Sequence, residues 1–223
     1  MENMVEQIRE NLTRAGKRLH KRGLVVGTAG NISARIPKRD QFLIKPSGVS
    51  LEFLKPEELV VVNLQGHKIR GELPVSMETP IHAAIYRIRK EAQAVVHTHA
   101  PTATAFGIAE REILPLQVEM YMRLPNGVPV IRFERPGSEM LAKKIQKKIA
   151  KYDAVILGNH GIVTIGSSIE AACDLSEMIE EAAKIQLLSM SLRNVGEGDI
   201  DLPSLKKKFM ILEKPEKIED VGV

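Results

Sequence analysis

The residues best placed to do chemistry are His97 and His99, which flank Thr98 at the end of the apolar run Ala94-Val95-Val96. Side chains on a strand alternate between its faces, so both imidazoles project from one side and can reach a single metal ion. A third histidine, His160, stands in Leu157-Gly158-Asn159-His160-Gly161, just past another apolar run, Ala154 to Leu157. Gly158 and Gly161 leave room there for unusual backbone angles and for close approach of a ligand. Glu78 adds a carboxylate at a chain reversal, immediately before Thr79-Pro80. Three histidines and one carboxylate form a set that zinc accepts, and the carboxylate can swing away to open a coordination position. An isolated H-x-H is more often a pair of core histidines satisfied by hydrogen bonds; His160 at a glycine-flanked strand end weighs against that alternative.

A second constellation is polar and glycine-rich: Gly27-Thr28-Ala29-Gly30-Asn31 and Lys45-Pro46-Ser47-Gly48. Each combines exposed backbone N–H groups with small hydroxyl or amide side chains, the composition of a phosphate-binding nest. Taken alone, such segments are more often ordinary turns. Ser76, two residues before Glu78, offers a further hydroxyl. His20 and His67 fall in a charged helix and a polar turn and read as surface residues. His82, one turn into the helix after Glu78, reads as support for the site rather than as a ligand.

These residues need elements to hold them. Met4 to Gly23 carries apolar residues at helical spacing, with Gly23 as C-cap. Strand-like runs follow at Asn31 to Ile36, Gln41 to Ile44 and Leu59 to Leu64, with Gln65-Gly66 turning into His67 to Arg70. Thr79-Pro80 predicts a helix start with the threonine hydroxyl as N-cap. Ala94 to His97 is a buried-type strand stopped by Pro101, and Val128 to Phe133 and Ala154 to Leu157 are further strands. Ser138 caps a helix through Lys151, and Ser168 to Arg193 is a long amphipathic helix. The pattern predicts a layered α/β domain with helices on both faces of one sheet.

Composition narrows the class. The 223 residues, 43% hydrophobic, suffice for one sizeable core. No apolar run is long enough to cross a membrane, and the acidic and basic N-terminus suits neither a secretory signal nor a transit peptide. The net charge is +4, but aromatic residues are 4% and the lysines lie along helices opposite glutamates, so nucleic acid is not an expected partner. A mild positive field instead favours an anionic, phosphorylated substrate. The single cysteine, Cys173, cannot form an internal disulfide and reads as buried packing in a cytoplasmic protein. Residues 1–195 form the expected catalytic domain and 196–223 a charged tail.

Taken in order, GTAGNIS, KPSG, SMETPIHAAIY, AVVHTHAP, GVPVIRFERPGS and ILGNHGIV resemble the class II aldolase/adducin family over roughly residues 5–193, and most closely its fuculose-phosphate aldolases. The resemblance implies a three-layer α/β/α sandwich around a mixed, largely antiparallel sheet. It implies one Zn2+ per subunit on His97, His99 and His160, with Glu78 as resting ligand and then acid/base; manganese, iron or cobalt would also suit these ligands. It implies phosphate contacts from Thr28, Asn31, Ser47, Gly48 and Ser76, and a homotetramer with active sites between subunits. Tyr121 matches a tyrosine that, in those aldolases, acts on the C4 oxygen from the adjacent subunit. The implied reaction cleaves a ketose 1-phosphate resembling L-fuculose 1-phosphate to dihydroxyacetone phosphate and an aldehyde. Two departures stand out: Met77 replaces the second serine before the glutamate, and no tyrosine follows Tyr152, although Phe209 could close the site. Related scaffolds serve methylthioribulose-1-phosphate dehydratases, whose acid/base would match Glu119, ribulose-phosphate 4-epimerases, and adducin-like modules without a metal.

Overall fold

The computed structural model describes residues 2–193 and 200–210. Among them, eight strands form one sheet: β1 (Asn31–Arg35), β2 (Gln41–Ile44), β3 (Val60–Asn63), β4 (Lys68–Arg70), β5 (Ala94–Thr98), β6 (Val130–Ile131), β7 (Ala154–Leu157) and β8 (Gly161–Gly166). Their order is β4-β3-β2-β1-β5-β8-β7-β6. Every neighbouring pair is antiparallel except β6 and β7, so the sheet is mixed and largely antiparallel.

Helices cover both faces because the central strands bury both sets of alternating side chains. On one face α1 (Glu2–Lys21), α3 (Pro101–Ile108) and α6 (Ile169–Arg193) pack over Ile32, Ala34, Val96, Ile156 and Ile162. On the other, α2 (Thr79–Ile88) and α5 (Glu139–Ile149) cover Phe42, Ile44, Val95, Leu157 and Val163. This is the three-layer α/β/α sandwich. Two short helices complete it, α4 (Val118–Arg123) and α7 (Leu202–Phe209). No helix among the described residues is long and apolar enough to cross a membrane.

Several expectations are corrected. The N-cap of α2 is Glu78, not Thr79, whose Oγ1 is buried without a hydrogen-bond partner. The turn is held instead by Ser76, whose Oγ accepts from the Glu78 amide at 3.2 Å. Ser138 does cap α5, accepting from the Leu141 amide, but the helix ends at Ile149. The strand expected at Val128 to Phe133 shrinks to two residues at the sheet edge, with Val128 bridging Ile113. Pro101 does more than stop β5: it opens α3. The expected tail contains α7, while residues 194–199 and 211–223 lie outside the described residues.

Candidate metal centre and phosphate loops

The register of the sheet brings the polar residues together. Asn31 on β1 pairs with His97 on β5, which pairs in turn with Val163 on β8. Along β5, Val96 and Thr98 face α6, where the Thr98 and Ser176 hydroxyls lie 2.9 Å apart. His97 therefore falls with Val95 on the α2 side, and His99, two residues on, joins it. The β7–β8 hairpin delivers His160 from its turn. The left-handed residue of that turn is Asn159, with φ 57, rather than either glycine beside it. Gly161 serves close packing: a Cβ there would meet the Thr98 carbonyl oxygen at 2.2 Å and the His97 ring at 3.1 Å.

The three imidazoles converge. Their ring centroids are 4.7–4.9 Å apart, and His97 Nε2 lies 3.1 Å from His99 Nε2. Glu78 completes the group, with Oε2 3.1 Å from His97 Nε2 and Oε1 3.5 Å from His160 Nε2. His97 Nδ1 donates to the Ile162 carbonyl at 2.9 Å, which leaves the Nε2 lone pair turned inward. Burial, then the neighbouring His97 and His160, push His99 down to about 4, and burial and His97 lower His160 as well. Both imidazoles are thus neutral near pH 7, the form in which a histidine can bind a metal. Burial raises the Glu78 carboxyl, but His97, His160, the Asn31 hydrogen bond and His82 together outweigh it and hold it below its usual range.

A divalent ion fits this arrangement. The ligand nitrogens of His97, His99 and His160 lie within 4.8 Å of one another, and Glu78 Oε1 is buried with no hydrogen-bond partner. Two nitrogens each about 2.0–2.1 Å from a tetrahedral ion sit about 3.4 Å apart, close to the spacing of His97 and His99. An orphaned carboxylate oxygen facing three imidazoles is what a cation would satisfy. No other such group of histidine, cysteine or acidic residues occurs among the described residues.

The loops expected to hold phosphate lie nearby. The Lys45 ammonium donates to the carbonyls of Thr28 at 2.8 Å and Gly30 at 3.1 Å, tying the first loop to the second. Gly30 has φ 72, and a Cβ there would strike Val25 at 2.6 Å and the His97 carbonyl at 2.9 Å, so this loop packs directly on β5. Thr28 and Gly48 are exposed, Ser47 is half-buried and Ser76 is buried. Asn31, also expected at the phosphate, is hydrogen-bonded toward the histidines: its Nδ2 donates to Glu78 Oε2 at 2.7 Å, and its Oδ1 meets His82 Nε2. Tyr121, buried in α4, has its ring centroid 5.1 Å from that of Phe209 on α7. Met77 is 76% exposed between buried Ser76 and Glu78.

Two contributors were missed in the sequence. The Lys45 side chain, which the sequence shows only as the first residue of Lys45-Pro46-Ser47-Gly48, is buried and lowered to about 8 by burial against the opposing pull of Glu78. The stripe Glu78, His82, Tyr86, at i, i+4 and i+8, was also missed as a unit; its signal is helical spacing of polar groups on a face that otherwise enters the core.

A half-buried trihistidine group with a buried carboxylate at the edge of a three-layer sandwich, flanked by glycine-rich loops, defines a class of fold and site. The family profile described as "Class II Aldolase and Adducin N-terminal domain" matches residues 10–187, and the chain belongs to that family. Among curated relatives, a 3-oxo-tetronate 4-phosphate decarboxylase of Escherichia coli O6:H1 is 35% identical, over 81% of this chain and 87% of its own. A 5-deoxy-D-ribulose 1-phosphate aldolase of Bacillus thuringiensis serovar kurstaki is 32% identical, over 92% and 97%. The crystal structure of L-fuculose-1-phosphate aldolase from Thermus thermophilus superposes with a TM-score of 0.74 at 30% identity, covering 85% of this chain and 97% of that one.

Proposed function

We propose that the chain is a metal-dependent lyase that breaks a carbon–carbon bond next to the carbonyl of a small sugar phosphate, releasing dihydroxyacetone phosphate. The observation that carries this reading is the meeting of His97, His99 and His160 with a buried carboxylate, Glu78, whose Oε1 has no hydrogen-bond partner. A divalent ion held by these residues, zinc by preference, would polarise the carbonyl and adjacent hydroxyl oxygens of the substrate.

The protein's own groups would do the rest. Lys45, the Gly27–Gly30 loop and the Ser47-Gly48 backbone hold the phosphate, with Ser76 adding a hydroxyl. Glu78, beside the reacting carbon, returns a proton to C3 once the C3–C4 bond has broken, or removes it in the condensation direction. Burial of Glu78 keeps water from competing for that proton. Cleavage of a ketose 1-phosphate also requires a group to take the proton of the C4 hydroxyl, and Tyr121 of a neighbouring copy is the candidate. We propose a homotetramer on the same ground; the exposed apolar Met77, Met122, Phe133 and Met140 give it surface to bury.

The aldolase is the first reading, with 5-deoxyribulose 1-phosphate ahead of L-fuculose 1-phosphate, since the relative of that activity matches nearly end to end. A second reading is favoured by the decarboxylase relative. Loss of CO2 from a 3-oxo acid phosphate leaves the same enediolate of dihydroxyacetone phosphate, to be protonated by the same Glu78, but needs no acceptor for a hydroxyl proton. One experiment separates them: the zinc-loaded protein is given 5-deoxyribulose 1-phosphate, L-fuculose 1-phosphate and 3-oxo-tetronate 4-phosphate, and products are read by NMR. Dihydroxyacetone phosphate with an aldehyde supports the aldolase; with CO2 it supports the decarboxylase. Turnover of none of them, in a protein that also purifies without metal, would sink both and favour an adducin-like binding module.

A further inference from the structure

We propose that His82 is a positioning residue for Glu78, acting through the Asn31 amide to fix how the carboxylate is held. The inference rests on the reading of Glu78 as metal ligand and acid/base. Its basis is a buried chain of hydrogen bonds running Tyr86, Ser33, His82, Asn31, Glu78, in which donors and acceptors can be assigned along one direction.

Asn31 Oδ1 can only accept, so His82 Nε2 must carry the proton that reaches it. A neutral imidazole then has a bare Nδ1, which accepts from the Ser33 hydroxyl at 2.6 Å. With its hydrogen committed, the Ser33 oxygen accepts from the Tyr86 hydroxyl at 2.8 Å. The far end of the chain is thereby fixed: Asn31 turns Nδ2 toward Glu78 and donates to Oε2 at 2.7 Å. A flipped amide would set Oδ1 against the carboxylate, acceptor against acceptor, so Glu78 selects this orientation, and His82, donating from Nε2, holds the carbonyl end of the amide in place. With Oε2 tethered, Oε1 is the carboxylate oxygen left without a hydrogen bond, facing His160. His82 is fully buried, and its side-chain hydrogen bonds reach Glu78 through Asn31.

Two substitutions cut the chain at different places. The amide of His82→Gln extends to the position of Nε2 and keeps the donor to Asn31. His82→Asn extends only to the position of Nδ1, keeping the Ser33 partner and losing Asn31. Co2+ alone is titrated into the full-length chain against a competing chelator, with the visible absorption of the bound ion recorded beside melting temperature. Outer partners of metal ligands are worth about 10–100-fold in affinity, so His82→Asn should bind Co2+ that much more weakly with an altered spectrum, and His82→Gln should stay within about threefold of wild type. In a Glu78→Gln background, His82→Asn should cause no further loss, because the route runs through that carboxylate. Should His82→Asn fail to fold, Ser33→Ala, which frees the imidazole to change tautomer, is expected to weaken Co2+ in the same direction. Equal losses in the Gln and Asn variants, a loss that persists without Glu78, or an unchanged Ser33→Ala would overturn the inference and leave His82 as core filling. A wild-type chain that binds no Co2+ would overturn the metal reading and this inference with it, whereas wild-type binding that no His82 variant alters would overturn the inference alone.

Discussion

Replacing Gly161 with alanine puts the packing of the centre under direct test. The added Cβ would lie 2.2 Å from the Thr98 carbonyl oxygen and 3.1 Å from His97 Cε1. Ordinary contacts settle at about 3.5 Å, so β8 must part from β5 by about 1 Å. Both neighbours are backbone or a ring held by the Ile162 carbonyl, so neither can yield as a flexible side chain would. Overpacking costs about 1–3 kcal/mol, and stretching one or two ladder hydrogen bonds adds about 1 kcal/mol each. A domain of this size loses about 2–4 °C of Tm per kcal/mol, which gives a fall of roughly 10 °C for the metal-free protein. The same displacement pulls His97 away from His160, so Zn2+ affinity should drop at least about tenfold. Scanning calorimetry and chelator competition read the two effects separately. A Gly161→Ala protein that melts within about 2 °C of wild type and binds Zn2+ equally well would refute the close approach of hairpin and strand on which the site depends.

Glu78→Gln should lower turnover by about 10²–10⁴-fold, the usual contribution of an acid/base, with much less effect on KM; steady-state kinetics on the zinc-loaded protein decide. Lys45 carries its charge below about 8 and loses it above, so binding of dihydroxyacetone phosphate should weaken as pH rises through 8. Calorimetric titration should show that dependence vanish in Lys45→Met, whose affinity is uniformly low. His82 is lowered by burial to about 3 from an ordinary 6.5, so its contribution to stability is complete above 6.5 and lost as pH falls toward 3. Urea unfolding of the metal-free protein should therefore steepen with acidification by up to about 1.4 kcal/mol per pH unit relative to His82→Gln, and parallel profiles would contradict a buried neutral imidazole.

The layers of the fold and the trihistidine group were legible because both follow short periods. Alternation along β5 put His97 and His99 on one side, and the apolar runs marked β2, β5 and β7 nearly to the residue. What local pattern could not show was structure made by distant partners. The run Pro101-Thr-Ala-Thr-Ala-Phe-Gly-Ile108 lacks an amphipathic stripe, and α3 gains its N-terminal cap from buried Glu180, which accepts from the Thr102 and Ala103 amides and the Thr102 hydroxyl. Strand β8, six buried residues bounded by glycines, needed β5 and β7 on either side to be recognised. The expected Thr79 cap failed because the preceding turn is closed through Ser76, which leaves Glu78 free to enter the site. The pairing of Asn31 opposite His97 aims its amide at Glu78, a consequence of register that no single segment contains.

The central claim is that Glu78 moves a proton at the carbon beside the carbonyl of dihydroxyacetone phosphate, a step common to the aldolase and decarboxylase readings. Its most direct measurement is hydrogen exchange: dihydroxyacetone phosphate is incubated in D2O with the zinc-loaded protein and followed by proton NMR. One hydroxymethyl proton signal should be lost without an added aldehyde, and the loss should be abolished by a chelator and by Glu78→Gln. Exchange that continues unchanged in Glu78→Gln, or none in a wild-type protein that holds both zinc and dihydroxyacetone phosphate, would contradict it.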